Sequence, residues 1–313
     1  MMNRRQFLLA TSAGAAAWAI GWPQRSSWAA APDAPRESLR IAFFTDIHTR
    51  VEWETPEALR LTARLINERK PDLVICGGDC ITDGFQNGRD VVAPRWKAFR
   101  ESLFELVEPT TEVAMGNHDI VGAMPEDGSA PEADPRSMFR EELGIKEIYR
   151  SFDAGGYHVI LLDGVQITRD EVKYRGFIDD EQMKWLRDDV SRVDATTPII
   201  LVTHMPLLSS FQAATLGNDV PAPRNRAIVN NREVLEVFKR HHLPLVLQGH
   251  NHVNELLRWR DTTFITGGAV CAKWWRGPWF GTEEGFGVVT LRKENVDWEY
   301  VDIGWTARRP PNQ

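Results

Sequence analysis

From residue 39 onward, short apolar runs alternate with longer stretches whose apolar residues recur at helical spacing. Leu39 to Phe44 is a largely apolar run ending at Thr45-Asp46, the pattern of a buried strand. Pro56 to Lys70 places Leu59, Leu61, Leu65 and Ile66 at helical spacing, with Glu54 and Thr55 as start signals. Leu73 to Cys76 predicts a strand, Trp96 to Leu106 a helix, and Glu112 to Met115 a strand. Pro125 to Pro135 is acidic and proline-rich, a loop. Tyr157 to Leu162 reads as a strand, Asp179 to Val193 as a helix, and Ile199 to Val202 as a strand leading into His204. Residues 207–227 read as a long loop, Asn231 to His241 as a helix and Pro244 to Leu247 as a strand. After that only strands follow: Leu256 to Arg260, Thr263 to Thr266, Phe286 to Leu291 and Val296 to Val301. The alternation predicts a layered α/β core, and the late strand run predicts a second sheet packed with the first.

Polar clusters follow the apolar strands. They are Asp46-Ile47-His48, Gly78-Asp79, Asn117-His118, His204 and His250-Asn251-His252. In layered α/β folds, sites form at the carboxyl ends of strands, so these distant residues can converge. Carboxylate and imidazole donors suit Zn, Fe and Mn, and an Asn oxygen favours a harder ion. Glycines at 77, 78, 116 and 249 are expected to let the backbone turn where ligands point inward. Each residue alone has an ordinary explanation. Asp46 could be a cap, Asp79 could form an Asx-turn, and any one histidine could be a satisfied core residue. The ordered set is what points to a metal site.

The N-terminal segment has a different character. Arg4 and Arg5 precede Phe7 and Leu8, an Ala- and Gly-rich apolar run follows to Ile20, and Ala29-Ala30-Ala31 end it with small residues. This order predicts a cleaved export signal over residues 1–31, with the working domain over 32–313. The Arg pair before Phe-Leu resembles the twin-arginine signal, which implies the twin-arginine export machinery as a partner of the precursor. The run is too short for a comfortable membrane span, so no stable membrane anchor is expected. The mature chain would be periplasmic or secreted. The whole chain carries 37 basic and 44 acidic residues. Loss of Arg4, Arg5 and Arg25 with the signal leaves 34 against 44, a net charge of −10. Such a balance argues against duplex nucleic acid as a partner.

The order Asp46-x-His48, Gly78-Asp79, Gly116-Asn117-His118-Asp119, His204 and Gly249-His250-x-His252 resembles the calcineurin-like metallophosphoesterases. The resemblance runs from about Leu39 to Trp305. It implies a four-layer α/β/β/α sandwich of two mixed sheets flanked by helices, with a dinuclear centre of Mn, Fe or Zn ions. Carried over residue by residue, one metal takes Asp46, His48, Asp79 and His252. The other takes Asp79, Asn117, His204 and His250, so that Asp79 bridges. The implied reaction is hydrolysis of a small phosphoester by a metal-bridging hydroxide, with catalytic roles for Asn117 and for His118 near the leaving oxygen. Either Asp83 or Asp119 is a candidate to orient His118. The pattern departs from purple acid phosphatases, which place Gly at the position of His48 and a Tyr soon after the second Asp; here Cys80, Ile81, Thr82 and Asp83 follow Asp79. Protein Ser/Thr phosphatase loops are absent as well, since Gly84 follows Asp83.

Two rivals remain: a non-catalytic metal-dependent binding module on the same fold, and a structural α/β protein with incidental histidines. Lys273 to Phe280, with Trp274, Trp275 and Trp279, has two readings: an aromatic wall of the substrate pocket with Arg276 on an anion, or packing between sheets. Cys76 and Cys80 flank Asp79; a disulfide there would strain the loop, so both are expected as packed thiols.

Overall fold

The computed structural model describes residues 38–292 and 295–310. The expected export signal lies outside the described residues. No helix among them is long and apolar enough to cross a membrane. The strands are β1 (Leu39–Phe44), β2 (Leu73–Cys76), β3 (Thr111–Val113), β4 (Arg150–Ala154), β5 (Tyr157–Leu162), β6 (Val165–Ile167), β7 (Tyr174–Gly176), β8 (Ile199–Thr203), β9 (Leu245–Gln248), β10 (Glu255–Trp259), β11 (Thr262–Thr266), β12 (Gly285–Arg292) and β13 (Asn295–Asp302). The helices are α1 (Thr55–Glu68), α2 (Arg89–Phe99), α3 (Ser137–Leu143), α4 (Asp180–Val190), α5 (Phe211–Leu216) and α6 (Asn231–Val237).

Two sheets carry the fold. One has the order β13-β12-β1-β2-β3 and the other β10-β11-β9-β8-β5-β4, while β6 and β7 form a separate ribbon. Both large sheets are mixed. β1, β2 and β3 run parallel, as do β5, β8, β9 and β11, with antiparallel strands outside them.

The alternation along β1 explains the layering. Leu39, Ile41 and Phe43 pack with Leu73 and Ile75 of β2 against Val159, Leu161, Ile200, Val202, Leu245 and Leu247 of the second sheet. Ala42 and Phe44 point the other way, into the layer shared with α1, which presents Ala58, Leu59, Ala63 and Ile66. Strands apolar on both faces belong in the middle of such a stack. The expected four layers are therefore present, with helices outside two facing sheets.

Several boundaries differ from expectation. α2 begins at Arg89 rather than near Trp96, and Pro94 sits inside it. Val92, Trp96 and Phe99 form its buried stripe, and packing of that stripe overrides the usual breaking effect of proline. A π-helical turn, Arg100–Phe104, follows. The long loop over 207–227 contains the short helix α5. Strands β4, β6 and β7 and helix α3 are additions.

Candidate metal centre

Every candidate ligand sits just past a strand end, and the two sheets share the work. Asp46 and His48 follow β1, Asp79 follows β2, and Asn117 and His118 follow β3. His204 follows β8, and His250 and His252 follow β9. Main-chain links hold these loops in register across the gap: Val270 N donates to Thr45 O (3.0 Å), and Cys271 N to Asp46 O (3.3 Å). Asp46, His48, Asp79, Asn117, His204, His250 and His252 are all buried, while His118 is half-buried at the rim.

Side chains that lie up to 206 positions apart in sequence, Asp46 and His252, meet here. His48 Nε2 is 3.1 Å from His252 Nε2 and 3.5 Å from Asp79 Oδ2. His204 Nε2 is 3.2 Å from the same Asp79 oxygen and 3.2 Å from Asn117 Oδ1. His250 Nδ1 lies 3.3 Å from His204 Nε2, and His252 Nε2 lies 3.3 Å from Asp46 Oδ1. Two overlapping groups, His48-Asp79-His118 and Asp79-His204-His250, have donor atoms within 4.8 Å of one another. Asp79 belongs to both.

The outward ring nitrogens are already committed. His204 Nδ1 donates to Gly77 O (2.9 Å), His252 Nδ1 to Ala272 O (2.6 Å) and His250 Nε2 to Asn225 O (2.9 Å). Each such bond fixes the ring's orientation and turns its other nitrogen inward, toward Asp79 for His204, toward Asp46 for His252 and toward His204 for His250. This donor set fits two cations of the Mn, Fe or Zn type. The charges respond to one another strongly. Burial raises the Asp46 carboxyl, but His252 and His204 overcome it and hold the group below the usual carboxylate range. Burial acts to lower His204, yet Asp79 and Asp46 push it up to about 9. Burial and the neighbouring His204 push His250 down to about 3.

The backbone carries the turns at the ligands themselves. Asp46 (φ 53°), His48 (44°), Asp79 (54°), His250 (72°) and His252 (58°) all lie in the left-handed region. Such conformations cost about 1–3 kcal/mol each and persist where the surroundings enforce them. This corrects the role expected of the glycines. Of Gly77, Gly78, Gly116 and Gly249, only Gly78 has positive φ. The others are needed for space: a Cβ on Gly116 would lie 2.2 Å from Asp79 Oδ1, and one on Gly249 2.7 Å from Asp46 Oδ2.

His118 is oriented by neither expected carboxylate. Its Nδ1 accepts the backbone N–H of Asp83 (3.0 Å), which places its own proton on Nε2. The Asp83 carboxylate pairs with Arg50 (3.0 Å). Asp119 instead gathers backbone donors: Oδ2 accepts from Asp79 N (2.8 Å) and Gly116 N (2.9 Å), and Oδ1 from Cys80 N (2.7 Å) and Ile81 N (3.4 Å). It is the clamp on the Asp79 loop. Cys76 and Cys80 are free buried thiols with Sγ atoms 3.9 Å apart.

The tryptophan loop divides between its two readings. Trp275 is core, buried with Nε1 donating to His48 O (3.1 Å). Trp274 is half-buried and lies beside the His252 ring. On the opposite side stands Tyr174 of β7, its ring 6.4 Å from that of His250; sequence reasoning did not single it out. Arg226 also lies there, next to Asn225, and its charge acts on both His250 and Tyr174. Neither residue carries a motif signal, because both come from segments whose placement only the fold determines.

A family model described as calcineurin-like phosphoesterase matches residues 39–254. The chain is 27% identical over 241 residues to Purple acid phosphatase 23 of Arabidopsis thaliana, covering 69% of this chain and 47% of that protein. It is 31% identical over 143 residues to Purple acid phosphatase 15 of the same plant, covering 43% of this chain and 25% of that protein. The chain thus spans less than half the length of these curated relatives. They come from the group that His48 and the residues after Asp79 set apart, so kinship extends across that local difference. Among solved structures, a dimetal phosphatase from Danio rerio shares the fold with a TM-score of 0.61 at 13% identity, covering 85% of this chain and 96% of that one. GAP50, the anchor in the inner membrane complex of Plasmodium, does so with a TM-score of 0.53 at 15% identity, covering 85% of each chain.

Proposed function

The chain belongs to the calcineurin-like phosphoesterase family, and from that premise we propose that it is a metal-dependent hydrolase of small phosphoric esters, a phosphodiesterase or phosphatase. One observation carries the reading: a single Asp79 carboxylate oxygen stands 3.5 Å from His48 Nε2 of one sheet and 3.2 Å from His204 Nε2 of the other. Asp46, His48, Asp79 and His252 would hold one cation; Asp79, Asn117, His204 and His250 would hold the second. Two bound cations supply charge neutralisation at the phosphoryl oxygens and bring the pKa of bound water toward neutrality.

The chain's own groups do the rest. The carbonyls of Gly77, Ala272 and Asn225 keep three imidazoles from turning, so the donor geometry is set before substrate arrives. The Asp119 carboxylate holds the Asp79 loop. His118, with Nδ1 occupied, presents Nε2–H at the rim and donates it to the leaving oxygen, where negative charge develops. Export by the twin-arginine route to the periplasm or beyond completes the proposal, with residues 1–31 as the signal.

The test is hydrolysis of an aryl phosphate monoester and the matching bis-aryl diester by protein loaded separately with Mn, Fe or Zn. Turnover that collapses in Asn117→Ala and His118→Ala is the expected result. Full metal occupancy without turnover of any phosphoester would overturn the enzyme reading in favour of a metal-dependent binding module.

A further inference from the structure

A line of aromatic rings leaves the metal centre on the His252 side. The Trp274 ring lies 4.5 Å from the His252 ring at an interplanar angle of 36°, and 6.0 Å from the His48 ring. Trp279 stands 5.9 Å from Trp274, and Phe280 stands 4.7 Å from Trp279. Phe211 of α5 closes the line, 5.1 Å from Phe280. Burial falls along it, from a half-buried Trp274 to a Phe280 that is 62% exposed.

Core packing does not account for this line. Trp275 serves the core, and it alone of the loop's tryptophans is fully buried. Single exposed apolar residues are ordinary, but a connected row ending at a metal centre is not. The loop is also held in a demanding shape. Ala272 (φ 42°), Trp274 (51°), Trp275 (66°) and Phe280 (47°) are all left-handed, a rare state for bulky residues. Specific bonds enforce it: Trp275 N donates to Cys271 O (2.7 Å), Arg309 Nη1 to Trp274 O (3.0 Å), and Trp279 and Thr282 exchange main-chain bonds of 2.8 and 2.9 Å. The His252 Nδ1 bond to Ala272 O ties the same loop to a candidate ligand. The rings are thus set in place before any ligand arrives.

We propose that Trp274, braced edge-to-face by Trp279 (71°), which Phe280 braces in turn (90°), forms a specificity shelf, and that the substrate is a phosphoester whose organic group carries a flat ring that packs on Trp274. The proposal rests on the phosphoesterase reading and names the class of group that enters beside the phosphate. Ring-on-ring contact is favourable beyond simple burial, and it accepts many planar groups. An unbranched aliphatic group of similar reach gains less on such a surface.

The experiment compares benzyl phosphate with butyl phosphate, whose leaving alcohols differ little in acidity, together with the methyl diesters of both. The metal-loaded full chain should favour the benzyl esters in kcat/KM by roughly tenfold. That ratio should fall toward unity in Trp274→Leu and drop partway in Phe280→Ala, whose exposed ring carries little of the fold. Calorimetric binding of benzylphosphonate against butylphosphonate reads the shelf without turnover and should show the same loss of preference. A ratio unchanged in Trp274→Leu, or equal binding of the two phosphonates by the unaltered chain, would overturn the shelf while leaving the phosphoesterase reading intact. Failure of turnover with ring-selective phosphonate binding would do the reverse.

Discussion

Replacing Asp119 by Asn tests what holds the Asp79 loop. The two side chains have the same shape, so the change alters hydrogen bonding and removes a charge that burial and the neighbouring Asp79 disfavour, together pushing the Asp119 carboxyl up to about 7. The carboxylate receives four main-chain N–H groups, two on each oxygen. Whichever way an amide turns, its NH2 meets two donors. Keeping its oxygen on Asp79 N and Gly116 N sacrifices the 2.7 Å bond from Cys80 N and the longer one from Ile81 N. Each buried donor left without an acceptor costs about 1–3 kcal/mol, so a total of about 2–6 kcal/mol is expected. At about 2–4 °C per kcal/mol, the melting point should fall by roughly 4–24 °C. Metal affinity should drop as well, by roughly 10–100-fold, because the loop no longer presents Asp79 in a fixed position. Urea unfolding with chelator present isolates the first effect, and metal titration of the folded variant isolates the second. A variant within about 0.5 kcal/mol of the parent, with unchanged metal affinity, would refute the reasoning. The strand ends alone would then be holding Asp79.

Two further outcomes follow from the same structure. Burial acts to lower the His158 pKa, but hydrogen bonds to Asp189 (3.0 Å) and Asp153 (2.7 Å) outweigh it and raise the imidazole above its ordinary 6.5. Stability from that cation is full below 6.5 and fades as pH rises through the raised value, so His158→Gln should cost more near about pH 5.5 than near about pH 9 in parallel melting curves. Gly249→Ala would set a methyl 2.3 Å from Thr45 Oγ1 and 2.7 Å from Asp46 Oδ2. It should lower both the melting point, at a cost of about 1–3 kcal/mol, and the bound metal per chain measured by elemental analysis.

The central strands were legible because both faces are apolar, and β2 and β5 fall on their expected limits. β4, by contrast, is the half-buried segment Arg-Ser-Phe-Asp-Ala, and β6 and β7 form a short partly polar ribbon. Such strands exist through their partners rather than through their own pattern. The candidate ligands were legible because strand ends in an α/β stack must converge on an edge. The support beneath them was not. The group that turns His118 is a main-chain N–H, which any residue but proline at position 83 would supply. Left-handed backbone at aspartate and histidine leaves no mark in the sequence either, so the glycines drew attention that belonged to the ligands.

The division of ligands between two sheets bears on how the molecule comes apart. An ion shared by His48 and His252 would join points 204 residues apart. Cross-linking so long a stretch removes much of the freedom an unfolded chain would gain, and the benefit grows only slowly with further length. Such an ion is a clasp as well as a reagent. It could not depart without the sheets loosening at that edge, nor could the sheets part there without giving it up. Metal exchange and opening of the sandwich would then share one barrier, and the slowness of one would measure the other.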